Sequence, residues 1–181
     1  MQKHFISANQ LLEDSFHLGK MVYESGFRPH FIIGVWRGGA PVGIAVQEYL
    51  AYHGIETDHI AIRTSSYYGI GEQDKTVKVH GMQYVIDHIN ADDALLVVDD
   101  VFDSGRSIVA ILEELKLKTR RNMPDVIKFA MPFYKPEKNI TDITPHYYLH
   151  ETDKWLVFPH ELVGLSPEEI QASKKLAHLG G

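Results

Sequence analysis

The stretch Leu95–Ile108, LLVVDDVFDSGRSI, leaves few structures open. Leu95, Leu96, Val97 and Val98 form an unbroken apolar run, the pattern of a strand covered on both faces, as parallel strands of α/β sheets are. Asp99 and Asp100 follow at its carboxyl end. Beyond them Asp103-Ser104-Gly105-Arg106-Ser107 opens a helix whose Ile108, Ile111, Leu112 and Leu115 recur at the spacing of one buried face. Gly105 permits a tight turn, and Ser104 and Ser107 offer hydroxyls. The first turn of the helix points its free N–H groups and positive dipole end at whatever sits there. A phosphate suits that turn. Three carboxylates beside a phosphate cup require a ligand that also carries hydroxyls or a divalent metal, so the pattern points to a phosphorylated sugar held with Mg²⁺. The stretch has neither the Gly-Lys-Ser/Thr of a Walker loop nor the Asp-x-Asp of aspartyl phosphatases. An N-cap alone would need one of these polar side chains, not five.

VVDDVFDSGRS resembles the phosphoribosyl pyrophosphate (PRPP) signature of type I phosphoribosyltransferases. The resemblance implies that Asp103, Ser104, Gly105, Arg106 and Ser107 hold the 5′-phosphate and that Asp99 and Asp100 take the ribose hydroxyls. Asp103 is then the candidate catalytic acid or base, with shaping the loop alone as the lesser alternative. In the same family the loop after the first central strand binds pyrophosphate, often with a cis peptide before a basic residue and two glycines. Trp36-Arg37-Gly38-Gly39, after the apolar run Phe31–Val35, is similar. Thr64–Lys75 abandons all periodicity at about a dozen residues, longer than the ~2–5 of ordinary hairpins, and is expected to be a flexible lid loop with Val77–Val79 as the returning arm. Its Ser66-Tyr67 matches the pair carried by the family's closing loop.

DKWLVFPHE, residues 153–161, resembles the base-binding segment of the 6-oxopurine members, of the hypoxanthine and xanthine-guanine types. Trp155 falls where an aromatic ring stacks on the purine, Leu156 where the backbone meets the base edge, and Glu161 where an acid lies close by. Lys135 stands where a lysine donates to the purine 6-oxygen. The implied metal is Mg²⁺, with Asp99, Asp100 and Glu161 as its ligands, direct or through water. Arg37 and His160 depart from the pattern, standing where Lys and Trp are frequent, so the preferred base stays open.

The remaining chain supplies scaffold. Gln10–Glu24 reads as a helix with Leu11, Leu12, Phe16, Val22 and Tyr23 on one face and Gly26 as its stop. Pro41 opens a helix over Val42–His53, Met82–Ile89 reads as a short covering helix, and Val126–Met131 and Tyr147–Leu149 read as further strands. Asp92 and Asp93 are assigned to solvent. Ser166-Pro167-Glu168-Glu169 is a capping box opening a helix over Pro167–Ala177.

The expected architecture is α/β: a doubly wound parallel sheet forming a single domain over residues 1–181. Its core spans about 28–150, with a small hood from about 151–181 to which the N-terminus can contribute. With 18 Lys plus Arg against 24 Asp plus Glu, the net charge of −6 argues against a nucleic-acid surface. No run reaches the ~18 apolar residues of a membrane span. The start MQKHFISANQ has no signal-peptide core, and a cytoplasmic enzyme is expected. The partners implied are PRPP and a purine base, within a homodimer or homotetramer. The rivals are a regulator of the same fold that senses PRPP or a nucleotide without turnover, and a pyrimidine-base transferase.

Overall fold

The computed structural model describes residues 3–68 and 75–174. Strand β1 (Lys3–Phe5) leads into helix α1 (Ala8–Glu24), capped by the Ser7 hydroxyl, which accepts from Gln10 N–H at 3.1 Å. Strand β2 (Phe31–Trp36) and helix α2 (Gly39–Tyr52) follow, then β3 (Asp58–Tyr68), β4 (Lys75–His80) and helix α3 (Gln83–His88). The acidic stretch supplies β5 (Ala94–Val98), β6 (Val101–Phe102) and helix α4 (Arg106–Thr119). Strands β7 (Val126–Ala130), β8 (Phe133–Tyr134), β9 (His150–Glu151) and β10 (Trp155–Val157) precede helix α5 (Pro167–Lys174).

The main sheet has the order β4-β3-β2-β5-β7. It is parallel except for β4, which runs antiparallel to β3. On β5 the apolar run divides by parity. Leu96 and Val98 meet α1 and α2 through Leu18, Val22, Val46 and Leu50, while Leu95 and Val97 meet α3 and α4 through Val85, Ile108, Ile111 and Leu115. Helices on both faces explain why the strand carries no polar alternation. The order reverses at β2 and β5: the chain leaves β2 toward β3 but returns to the other side of β2 as β5. Such a reversal opens a crevice beyond the carboxyl ends of the two strands.

Two smaller ladders form around the sheet. Strands β6, β8 and β9 make a parallel trio beside it, and β1 pairs in parallel with β10 as Lys3↔Trp155, His4↔Leu156 and Phe5↔Val157. The N-terminus thus contributes a strand beside the Trp155–Val157 segment.

Several expectations need correction. Thr64–Tyr68 is not irregular: β3 runs on to Tyr68 and pairs with β4 as an antiparallel ribbon, so Ser66 and Tyr67 lie on a ribbon arm. The ribbon's tip, 69–74, lies outside the described residues. The fifth strand of the sheet is β4. The Tyr147–Leu149 segment makes a single bridge, Ala130↔Tyr147. On α1 the buried stripe is Leu11, Ser15, Leu18 and Val22, with the Ser15 hydroxyl satisfied by Leu11 C=O, whereas Leu12 and Phe16 face outward. Asp93 is half buried rather than solvated, its carboxylate accepting from Asn90 N–H at 2.7 Å. The capping box forms as expected: Ser166 N–H donates to Glu169 and Glu169 N–H to Ser166 Oγ. Helix α5 is described to Lys174, and the expected extension to Ala177 lies outside the described residues.

Candidate active site

At the sheet's reversal point two backbone loops meet. The loop after β2 carries the cis peptide Trp36-Arg37, in line with the resemblance, and then Gly38 and Gly39 at the start of α2. A Cβ on Gly38 would lie 1.7 Å from Asp100 Oδ2. One on Gly39 would lie 2.4 Å from Val98 O and 2.8 Å from Asp99 Cα. Gly39 is therefore fixed by backbone contact with the acidic strand end, because any side chain would drive the two loops apart, whereas at Gly38 the clash is with the Asp100 carboxylate, which would have to turn away. Arg37 is exposed above this junction.

Asp99 and Asp100 sit at the end of β5. Asp99 Oδ1 accepts from Asp100 N–H at 2.9 Å. Burial, reinforced by the neighbouring Asp100 carboxylate, pushes the Asp99 carboxyl well above the ordinary carboxylate range, against an opposing hydrogen bond from Gly39 N–H. The Asp100 carboxylate lies 3.6 Å from His160 Nε2. Sequence reasoning had noted His160 only as a departure from the family pattern.

Gly105 caps α4 with φ 80°, in the left-handed region, and its Cα hydrogens face Thr141 and Phe102 so closely that a Cβ would stand 2.7 Å from Thr141 Oγ1. That conformation turns Asp103–Ser107 around the first turn of α4, whose N–H groups lack intrahelical acceptors, an arrangement suited to an anion. Asp103 is half exposed and faces Lys135, whose ammonium donates to Asp103 Oδ2 at 3.3 Å while its own side chain is largely buried.

Lys135, at the end of β8, opens onto a cleft of about 430 Å³ lined among others by Asp100, Asp103, Trp155, Leu156, Phe158 and Glu161. Trp155 is 53% exposed and so is not a core residue. Leu156 is buried, and its backbone is fixed in the β1–β10 ladder. Glu161 folds back on its own segment: its carboxylate accepts from Phe158 N–H at 2.9 Å, and its N–H donates to Phe158 C=O at 3.0 Å. Lys174 of α5 donates to the same Phe158 carbonyl at 2.5 Å, and burial pulls its ammonium below the usual lysine range against the opposing field of Glu161.

The structure thus brings Asp100, Asp103, Lys135, Trp155, Leu156 and Glu161 to one cleft and joins the Gly38–Gly39 loop to it through Asp100. Ser66 is exposed on β3 and, among the described residues, does not line that cleft. Sequence reasoning missed Lys138, Asp153 and Lys154 at the rim, and Lys3 and Glu169 behind Trp155. Asp153 and Lys154 flank the aromatic residue directly. Lys3 gave no local signal at all.

For a divalent cation the donors present are the hard oxygens of Asp99 and Asp100. Among the described residues no three His, Cys, Asp or Glu side chains converge on one point. Two carboxylates without a closed cage fit Mg²⁺, which keeps several waters and is usually held by one or two carboxylates plus the phosphates of a substrate.

Comparison with known proteins agrees with this geometry. A family profile described as phosphoribosyl transferase domain matches residues 7–163. Among solved structures, a purine phosphoribosyltransferase from Pyrococcus horikoshii OT3 is 26% identical, with 92% of this chain and 98% of that one covered and a TM-score of 0.69. A xanthine-guanine-hypoxanthine phosphoribosyltransferase from Helicobacter pylori is 22% identical over 98% of both chains, TM-score 0.65. A hypothetical protein from Neisseria gonorrhoeae with bound ppGpp is 20% identical over 99% and 98%, TM-score 0.75. The last two, below 25% identity, speak for the fold. No curated protein sequence matches. With a profile match running from the cap of α1 past the Trp155–Glu161 segment, and the acidic signature at the junction of two glycine-bearing loops, the chain belongs to the type I phosphoribosyltransferase family.

Proposed function

We propose that this protein transfers the phosphoribosyl group of PRPP to a 6-oxopurine, giving a purine nucleoside monophosphate and pyrophosphate. The observation that carries this reading is the single cleft in which Asp100 and Asp103 of the acidic signature face Lys135, Trp155 and Glu161. A phosphate cup on one side and an exposed indole on the other suit a substrate pair of phosphorylated sugar and flat heterocycle.

In this reading the N–H groups of α4's first turn and the hydroxyls of Ser104 and Ser107 hold the 5′-phosphate, joined by Arg106. Asp99 and Asp100 accept from the ribose hydroxyls. The backbone of Trp36–Gly39 and the Arg37 guanidinium bind the departing pyrophosphate, and Ser66 and Tyr67 belong to the ribbon that closes over it. Bound Mg²⁺, held by Asp99 and Asp100 with Glu161 through water, would neutralise the leaving anion. Positive charge develops on the sugar as the bond to pyrophosphate lengthens, and the Asp99–Asp100 end of β5 places negative charge beneath it. Trp155 stacks on the purine, the Leu156 backbone meets its edge, and Lys135 turns from Asp103 to the 6-oxygen. Asp103, released from Lys135, is then free to take the proton from the ring nitrogen that attacks the sugar. The cytoplasm, purine salvage and a homodimer or homotetramer complete the proposal.

The test is pyrophosphate release with PRPP and Mg²⁺ against hypoxanthine, guanine, xanthine, orotate and uracil. Turnover confined to one or more of the 6-oxopurines is expected, and turnover of a pyrimidine alone refutes the reading. Trp155→Ala should raise the KM for the base by one to two orders of magnitude, since stacking on an aromatic side chain is worth ~1–3 kcal/mol, with little change in the KM for PRPP. A folded variant with an unchanged base KM places the base elsewhere. The ppGpp bound to the Neisseria protein favours one rival, a nucleotide-holding protein of the same fold without turnover. Binding of PRPP or ppGpp with no pyrophosphate released for any base would select that rival.

A further inference from the structure

Trp155 stands directly across the β1–β10 ladder from Lys3. The Lys3 ammonium lies 5.9 Å from the centroid of the indole ring. It also donates to both carboxylate oxygens of Glu169 at 2.9 Å each, and to Gly164 C=O at 3.3 Å. Glu169 is itself held, because its carboxylate accepts from Ser166 N–H at 2.9 Å in the capping box of α5. The bond from Lys3 is the chief reason that the Glu169 carboxyl lies below the usual glutamate range. Lys3 and Glu169 are both partly shielded, at 23% and 33% side-chain exposure. The cation beside the indole is thus not the wandering end of a surface lysine. It is anchored by two acceptors on the segment that follows the base-binding stretch.

We propose that Lys3, clamped by Glu169, is a positioning residue for Trp155: it fixes the indole at the rim of the cleft and occupies one flank of the ring, leaving the other to the incoming base. The inference rests on the reading of Trp155 as the base platform. Its physical content is preorganisation. A half-exposed indole on a three-residue strand has few packing neighbours to hold its rotamer, and a base that stacks on it must first immobilise it. A cation within about 6 Å of the ring, itself anchored, supplies part of that order beforehand. The effect belongs to base capture, not to the chemical step.

Steady-state kinetics on the full chain, with PRPP and the preferred 6-oxopurine both varied, tests this. Lys3→Met keeps the length of the side chain and removes the charge. It should raise the base KM about three- to fivefold, the range of an exposed cation–π contact, and leave kcat and the PRPP KM unchanged. Lys3→Arg should restore the wild-type base KM, and Glu169→Gln should raise it about twofold by loosening the clamp. In a Trp155→Leu background, Lys3→Met should add nothing. A base KM untouched by Lys3→Met and Glu169→Gln, in a protein where Trp155→Ala raises it, overturns the inference and spares the proposed function. A base KM untouched by all three changes overturns the platform reading itself. A loss of kcat with both KM values moving together, or a Lys3→Met effect that persists without Trp155, makes Lys3 a structural tie only and also overturns the inference.

Discussion

Asp99 to Ser107 extend from a strand whose Leu95, Leu96, Val97 and Val98 have no solvent exposure, into a helix with Ile111 and Leu115 equally buried. Trp155 to Glu161 extend instead from a three-residue strand into a segment braced by α5, a helix with no buried residue. The Asp99–Ser107 side of the cleft is held by apolar packing and, at Gly39, by backbone contacts that admit no side chain. The Trp155–Glu161 segment anchors Leu156, Val157 and Phe158 in the core, but its outer rim, from Trp155 to α5, is held by ion pairs and single hydrogen bonds, several of them between residues far apart in sequence. Packed interiors resist change in steps as small as one methylene, whereas partly exposed polar ties are worth little individually and can be exchanged. The difference predicts a rigid, intolerant region around Asp99–Ser107, the phosphate half of the proposed function, and an adjustable rim around Trp155, its base half, which in that reading is a physical route to changing base preference without rebuilding the other half.

The comparison breaks most readily at Asp103. If the phosphate half also carries the chemistry, Asp103→Asn should keep the loop and PRPP binding but lower kcat by ~10²–10⁴, the usual contribution of a positioned acid or base. Steady-state kinetics beside direct PRPP binding reads both. Loss of PRPP binding with near-normal chemistry would leave Asp103 as a loop-shaping residue.

Next in size is Gly39→Ala. The new methyl would meet two backbone atoms, Val98 O at 2.4 Å and Asp99 Cα at 2.8 Å, neither of which can rotate away. Overpacking of this kind costs ~1–3 kcal/mol, and thermal melting should fall by ~2–4 °C per kcal/mol for a chain of this size, with pyrophosphate release nearly abolished. Wild-type melting and turnover would show that the phosphate half yields after all.

Asp99 gives a pH-dependent test. Its carboxyl titrates higher in the folded protein than in the unfolded chain, so the folded state holds the extra proton. Stability is therefore lost as pH rises from the ordinary carboxylate range through the raised folded value. Asp99→Asn removes that penalty. In chelator-treated buffer it should melt higher than wild type near neutral pH and differ little near pH ~4, while losing PRPP affinity. An advantage that is constant across pH would assign the gain to packing.

The smallest effect concerns the base half. Lys174→Met cuts the bond to Phe158 C=O but removes little buried surface. Amide exchange should quicken in α5 and β10 and stay unchanged in β5 and α4, with melting shifted by no more than ~2–4 °C, as for the loss of about one hydrogen bond. Exchange that quickens everywhere would mean that the two halves unfold as one.

These differences also explain which parts were legible in the sequence. The strand Leu95–Val98, the helix face Ile108–Leu115 and the capping box at Ser166–Glu169 are local patterns, fixed by side chains within a few residues of one another. Gly105 announces its turn for the same reason. The returning arm at Val77–Val79 was legible, but the first arm over Thr64–Tyr68 reads as loop because a polar antiparallel pair need not alternate. Leu12 and Phe16 were misplaced because two apolar stripes on α1 compete, and the choice of Leu11, Ser15, Leu18 and Val22 is made by α2 rather than by α1 itself. The cis peptide at Trp36-Arg37 came from family resemblance and not from composition. His160 beside Asp100, and Lys3 beneath Trp155, depend on pairings between residues distant in sequence and leave no trace in any short window.

The β1–β10 ladder also sets an order of assembly. Lys3 waits for Glu169, which lies 166 residues further along, whereas the β2–β5 pairing and α4 are complete once roughly two thirds of the chain exists. Closing so long a loop carries a large entropic cost that is recovered only when both ends have been made. In a chain emerging from the ribosome N-terminus first, the turn between β5 and α4 can form early, whereas the ladder that carries Trp155 forms last. Strand β1 is then among the last elements to find its partner, although it is made long before β10.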